Sequence, residues 1–425
     1  MGERSRAGLW ANADFRKLWL GRTISEIGSR ITREGLPLTA VLVLAATPLQ
    51  MGVLAAMGAV PVLLVGLFAG VWVDRRRRRP ILIAADVGRA ALLLTIPLAA
   101  WRGWLHMGQL LVVAALTGIL AVFFNVADQS FLPVLVSRAH LIEGNSKLEA
   151  SGGMAEIAGP PLAGVLVQTI TAPMAILLDA VSFLVSAATV VAIRTPEPPP
   201  APVEPQSHVG QEIRQGLRVM LGQPILRALA ITGSIGSFFG GFYATLYTLY
   251  AIRVVGVSPA VLGLLIAAGG VGCLAGAMLA GPVVQRYGLG PAMVAAAAVS
   301  AAAAAFFTPL AGGRPLAVAV PLMLAGQFFN DGASQVFSIH AVSLRQTVTP
   351  DHLLGRMNAS MHVLEGGVHP FGILVGGALA SVAGIQHTVF VAALGPVLGA
   401  LWVVFSPIRH LHAAPDPIGA ALWTR

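Results

Sequence analysis

The chain has 425 residues, of which 56% are hydrophobic and only 11% charged, with a formal net charge of +9. A soluble protein carries about 25% charged residues. No soluble core hides this much apolar surface, so the composition excludes a water-soluble globule and indicates an all-α polytopic membrane protein. A β-barrel would show alternating segments of about 10 residues, whereas the apolar runs here are longer and apolar on every face. The positive balance is that of an arginine excess in cytoplasmic loops rather than a nucleic-acid surface. Cys273 is the one cysteine, so no intramolecular disulfide forms, and no zinc-ligand spacing is present. The polar, basic residues 1–17 lead into the first helix without a cleavable signal pattern.

A helix needs about 20 residues to span a bilayer. The apolar runs predict twelve spans: 17–45, 49–73, 81–101, 107–134, 145–170, 173–194, 224–252, 259–285, 290–311, 315–344, 356–383 and 386–406. They divide into an N-terminal six-helix bundle (1–194), a linker (195–223), a C-terminal six-helix bundle (224–406) and a tail (407–425). The linker opens T-P-E-P-P-P-A-P-V-E-P-Q, a proline density that reads as extended chain. Its second half, 211–221, is predicted to be a short amphipathic helix on the membrane surface. Arginine and lysine collect in the tails, the linker and the even-to-odd loops, with Arg102, Arg253 and Arg314 on the other side. That asymmetry puts both termini in the cytoplasm. The halves echo each other at separations of about 205–213 residues. Phe123–Asn125 returns as Phe328–Asn330, Gly281–Gly288 is a weakened copy of the Gly70–Arg77 stretch, and Arg138–Ser146 resembles Pro350–Ser360.

Between the second and third spans lies G-V-W-V-D-R-R-R-R-R-P, a short hairpin loop carrying five arginines. Taken alone it is a topology anchor. Its pattern Gly-x-x-x-Asp-Arg-x-x-Arg-Arg, at Gly70, Asp74, Arg75, Arg78 and Arg79, resembles the loop 2–3 signature of the major facilitator superfamily, although Arg77 stands where that signature has glycine. With the twelve helices, the duplication and the central linker, the resemblance covers nearly the whole chain. The first helix, F-R-K-L-W-L-G-R-T-I-S-E-I-G-S-R-I, is similar to that of the bacterial drug and siderophore exporter branch, which includes macrolide-efflux and enterobactin-exporter-like proteins. The resemblance implies a cytoplasmic gate formed by the loop, in which Asp74 is drawn to the N-terminus of the eleventh helix near Arg356. Arg75 and Arg78 would pair with acids or C-terminal carbonyls. Asp86, next to Arg89 at the start of the third helix, would pair with the arginine loop or with Arg89 and serve the same gate.

Ionisable residues inside a span are candidates for function. Arg22, Glu26, Arg30 and Glu34 recur at i+4 on one face of the first helix. They form either a self-neutralising ladder with Arg22 snorkelling outward or a cavity wall from which Glu26 or Glu34 exchanges protons. Further acids read as buried are Asp86, Asp128, Glu149, Glu156, Asp179, Asp331 and Glu365. Asp128 in the fourth helix and Asp331 in the tenth occupy nearly equivalent places, and Asp128 ranks beside Glu26 as a proton carrier. Glu365 lies between His362 and His369; the histidines read as hydrogen-bonded packing residues rather than relays.

In the fifth helix, Gly159-Pro160-x-x-Ala163-Gly164 resembles in part the antiporter signature of the superfamily, with alanines at Ala155 and Ala163 where the signature has glycines. Without the resemblance, such small residues simply let helices approach closely. Substrate contacts are expected from the cavity faces of helices 1, 4, 7 and 10: Arg30, Asn125, Asn330, and the i+4 series Phe239, Tyr243 and Tyr247. The resulting expectation is a monomeric bacterial inner-membrane exporter of hydrophobic or amphiphilic small molecules, driven by proton antiport, with no cofactor or metal. An importer or lipid flippase on the same fold, or a non-transporting scaffold or sensor, are the alternatives. Nothing indicates an enzyme: no nucleophile elbow, metal motif or phosphate-binding glycine loop occurs.

Overall fold

The structure, a computed structural model, describes residues 9–137, 140–197 and 209–412. Its helices are α1 (Ala13–Leu42), α2 (Pro48–Asp74), α3 (Arg78–Trp101), α4 (Met107–Gln129), the single turn α5 (Leu132–Leu135), α6 (Leu141–Ile170) and α7 (Ala172–Val191). After the linker come α8 (Val209–Gly222), α9 (Pro224–Leu249), α10 (Pro259–Tyr287), α11 (Leu289–Ala302), the single turn α12 (Thr308–Ala311), α13 (Leu316–Val348), α14 (Asp351–Ala383) and α15 (Ile385–Phe405). Two π-helical stretches, Tyr250–Val255 and Ala303–Phe307, prolong α9 and α11. Ten helical segments among the described residues are long and apolar enough to cross a membrane. The remaining long helices, α1 and α6, have 30 residues each and carry the charged residues discussed below. The fold is thus the expected all-α polytopic one. The fourth predicted span breaks after Gln129 into a separate turn, and the tenth runs on to Val348.

Local chemistry sets the helix ends. The Asn12 side-chain carbonyl accepts the N–H groups of Asp14 (3.0 Å) and Phe15 (3.2 Å), two donors that lack partners inside α1. Gln223 caps α9 the same way through Leu226 N–H (2.7 Å), with Pro224 at the first helical position. A single residue with positive φ joins each of three helix pairs: Thr171 (85°), Gly288 (84°) and Gly384 (86°).

Two compact units emerge. One holds Met1–Ala46, Leu54–Glu204 and Ser258–Leu264, the other Thr47–Val53, Pro205–Val257 and Leu265–Arg425. In the first, α1 packs on α7 and α6, and α3 packs on α7 and α4. In the second, α9 packs on α15 and α14, and α11 packs on α15 and α13. The same four pairings recur, as a duplicated six-helix unit requires. Small residues make them close. Gly21, Gly28 and Gly35 follow one another at seven-residue intervals along α1 and face Ser186/Thr189, Asp179/Ser182 and Ile176 of α7. In the second unit Gly372 and Gly376 of α14 face the backbone at Phe238 and Phe242 of α9. The amphipathic helix expected at 211–221 exists as α8, yet it does not lie free on a surface. It packs on α14 and α9, buries Val219 and Met220, and presses Gly216 against Arg356 and Ser360.

The start of the linker is tied down. Asp14 accepts the N–H groups of Arg194 (3.1 Å) and Thr195 (2.9 Å), the Thr195 hydroxyl (2.7 Å) and Lys17 Nζ (2.7 Å). Burial works to raise the Asp14 carboxyl, but these four donors outweigh it and hold it well below the usual carboxylate range.

Candidate functional site

The arginine loop is built on Glu197. Its carboxylate accepts Arg78 N–H (2.5 Å) and Arg79 N–H (3.1 Å), the open donors at the start of α3, and lies 3.9 Å from the Arg78 guanidinium. The Arg79 guanidinium donates to the carbonyl of Val191 at the end of α7. Within the first unit an acid thus holds Arg78 and a C-terminal carbonyl holds Arg79, whereas Arg75, expected to pair in the same way, shows no such contact among the described residues. Arg75 is exposed, Arg76 stacks on Trp72 (4.4 Å), and a Cβ on Gly70 would meet nothing within 4 Å. Asp74 closes α2; its side chain lies outside the described residues.

Asp86 and Arg89 are not part of that loop cluster. Both are buried, at 0% and 6% exposure, and they pair with each other at 2.5 Å. The Arg89 guanidinium also lies over the rings of Phe124 (4.3 Å) and Phe183 (4.0 Å). A desolvated arginine clasped by two aromatic faces and a carboxylate is a fixed element of α3, α4 and α7.

The charged face of α1 forms a ladder and also reaches beyond it. Glu26 stands 4.0 Å from Arg22 and 3.6 Å from Arg30. Arg22 does not snorkel outward: it crosses to α4 and pairs with Asp128 at 2.7 Å. Arg30 crosses to α6 and pairs with Glu156, which also meets Arg33 at 3.0 Å. The result is one chain of alternating charge, Asp128–Arg22–Glu26–Arg30–Glu156–Arg33, running over three helices. Asp128 is 5% exposed. Glu34 enters no ion pair among the described residues and is half-buried. Glu149 and Glu156, read as buried acids, instead carry exposed side chains, because their helix rotation turns them off the packed face. Asp179 is buried and accepts the Ser182 hydroxyl at 2.9 Å.

Gly159 of the fifth span, α6, explains how Arg30 gets across. A Cβ there would collide with Cβ and Cγ of Arg30, the latter at 2.7 Å. The glycine opens the lane through which Arg30 reaches Glu156. Pro160 lies in the same helix, and Gly164 abuts the backbone at Pro259 and Ala260.

The second unit holds a cavity of about 470 Å³, a size suited to a small organic molecule. Phe239, Tyr243 and Tyr247 of α9 line it, so their i+4 spacing does place them on one face. Asn330 and Asp331 of α13 line it too, with Gln327 and Ser300. Arg30 and Asn125 belong to the other unit, where Asn125 is exposed. Inside the cavity Asp331 accepts Gln327 Nε2 (2.7 Å) and Asn330 Nδ2 (2.8 Å), while Ser300 joins Asn330 (2.9 Å) and Ser334 (3.1 Å). Glu365 of α14 lies against Gly233 of α9. His369 meets the Ser237 carbonyl at 2.9 Å and the Ser237 hydroxyl donates to the Glu365 carbonyl at 2.8 Å, so hydrogen bonds tie α14 to α9 here; His362 is exposed.

Comparison with known proteins gives these features a family. The model of the transmembrane secretion effector family matches residues 7–422. The multidrug efflux pump Tap of Mycolicibacterium fortuitum is 28% identical over 380 residues, covering 87% of this chain and 90% of that one. Tap of Mycobacterium tuberculosis H37Rv is 28% identical over 390 residues, covering 88% and 90%. Among solved structures, the nucleoside transporter NupG aligns at TM-score 0.73 with 11% identity, over 92% of this chain and 99% of that one. A bacterial homologue of the iron transporter ferroportin aligns at 0.70 with 17% identity, over 94% and 99%. The two structures speak to the fold alone. The chain belongs to the transmembrane secretion effector family of major facilitator transporters, and it is a multi-pass membrane transporter rather than an enzyme.

Proposed function

We propose that the protein is a secondary active exporter of hydrophobic or amphiphilic small molecules, working by proton antiport through alternating access in a bacterial inner membrane, as a monomer with both termini in the cytoplasm. The observation that carries the coupling is the position of Arg22 between two carboxylates, 2.7 Å from Asp128 and 4.0 Å from Glu26. A proton on Asp128 removes the charge that holds Arg22 and leaves Glu26 as its partner; a proton on Glu26 does the reverse. Proton loading therefore changes which helices the guanidinium ties together, α1 to α4 or α1 to itself. That is the differential interaction a coupled two-state cycle needs. The arginine loop held by Glu197 and Val191 would act as the cytoplasmic gate, with Asp86 and Arg89 bracing the helix behind it.

Direction is supported by the antiporter-like stretch at Gly159, Pro160 and Gly164 and by the efflux function in the name of the Tap relatives. Substrate class is supported by the aromatic wall of the second-unit cavity. Everted membrane vesicles given an acid interior decide the direction. They should accumulate a lipophilic fluorescent dye only when the protein is present, and lose the dye when the gradient is collapsed. Gradient-dependent accumulation in right-side-out vesicles instead would assign import.

A further inference from the structure

The cavity of the second unit contains a carboxylate that the coupling network does not use. Asp331 takes part in none of the ion pairs among the described residues. Its two oxygens each accept one bond from a neutral amide, Gln327 and Asn330. A carboxylate offers about four acceptor sites, so two remain. A carboxylate inside a membrane span without a cation beside it is costly to keep. The amides fix its orientation without supplying the missing charge. Gly269 of α10 abuts one of its oxygens, which closes that flank. Tyr243 lines the same cavity, and its hydroxyl is buried and has no hydrogen-bond partner among the described residues. A buried hydroxyl normally finds one. The cavity thus presents an aromatic wall from Phe239, Tyr243 and Tyr247, one open anionic acceptor and one open donor.

We propose that this cavity binds the cationic group of an amphiphilic aromatic substrate, with Asp331 as counter-charge and the Tyr243 hydroxyl donating to an acceptor on the same molecule. The proposal rests on the exporter reading and deepens it. It moves Asp331 from the proton carriers to the substrate site, and leaves coupling to Glu26 and Asp128 in the other unit. A cation over aromatic rings with a carboxylate behind it gains from both contacts. A substrate that also carries a carbonyl or phosphoryl oxygen satisfies the tyrosine.

Two probes of related shape separate the contacts. Tetraphenylphosphonium carries a charge and no acceptor; triphenylphosphine oxide carries an acceptor and no charge. Equilibrium dialysis against the purified full-length protein, at fixed pH and without a gradient, measures each. Asp331→Asn is expected to weaken phosphonium binding about tenfold or more and leave the oxide unchanged, with Asp331→Glu restoring part of the loss. Tyr243→Phe is expected to weaken the oxide about threefold to tenfold and leave the phosphonium unchanged. Unchanged phosphonium affinity in Asp331→Asn overturns the proposal, and so does an equal loss of both probes. The exporter reading fails separately: binding in this pattern without accumulation in everted vesicles would remove export and keep the site.

Discussion

Thr171 occupies a backbone conformation that belongs to glycine. The α6–α7 junction has φ 85° and ψ 155° at Thr171; the α14–α15 junction has φ 86° and ψ 156° at Gly384. The flanking hydrogen bonds match as well. Thr171 N–H donates to Val167 and Gly384 N–H to Ala380, both at 3.1 Å, and each junction carbonyl receives the N–H four residues on. The two junctions stand at the repeat offset that relates Arg138 to Pro350, to within a residue. A β-branched residue in this region costs about 1–3 kcal/mol, and the Thr171 side chain is exposed, so removing it sacrifices no packing. Glycine returns about 0.5–1 kcal/mol through the freer unfolded chain. Thr171→Gly should therefore stabilise the protein by about 0.5–2 kcal/mol, whereas Gly384→Ala should destabilise it by about 1–3 kcal/mol. Tryptophan fluorescence of the purified protein during thermal and denaturant unfolding reads both. A midpoint that stays put or falls in Thr171→Gly, together with a tolerated Gly384→Ala, would refute the reasoning.

Three further outcomes follow from the first unit. Arg22→Gln strands the buried Asp128 without its cation and should cost about 3–5 kcal/mol, most of it recovered in Arg22→Gln/Asp128→Asn; denaturation of the four proteins in the cycle measures this. Gly159→Ala puts a methyl where Arg30 passes, so transport should fall at least about tenfold while the protein still inserts and purifies; full activity in vesicles would contradict the role given to that glycine. Asp14 has a folded-state carboxyl below its unfolded range, so its contribution is complete above about pH 4 and is lost as pH falls below that. Asp14→Asn should accordingly lower the unfolding midpoint at neutral pH, with the gap to wild type narrowing in acid; a gap that widens in acid would reverse the sign of the argument.

The helix plan and the arginine loop were readable because each rests on a local pattern, apolar length in one case and charge density in the other. The face shared by Phe239, Tyr243 and Tyr247 was readable for the same reason, since i+4 spacing alone puts side chains together. The partners of the buried charges were not. Arg22 and Asp128 lie more than a hundred residues apart, and α4 is apolar all round, so its pattern does not say which way Asp128 faces. That also misplaced Glu149 and Glu156: position along a helix was legible, rotation about its axis was not. The tie between Glu197 and the start of α3 is a long-range cap, made by a carboxylate in a stretch whose prolines pointed only to extended chain. Gly159 was legible as a small residue in a suggestive motif, but its task of admitting Arg30 needs both helices in view.

The measurement that tests the central claim most directly is substrate-induced proton release. Purified protein in lightly buffered detergent with a pH dye is mixed with hydrophobic aromatic cations, alongside Glu26→Gln and Asp128→Asn. Release is expected from the wild type, with its loss in at least one of the two variants and cation binding retained. Binding without release in the wild type, or undiminished release from both variants, would contradict proton coupling through Arg22 and its two carboxylates.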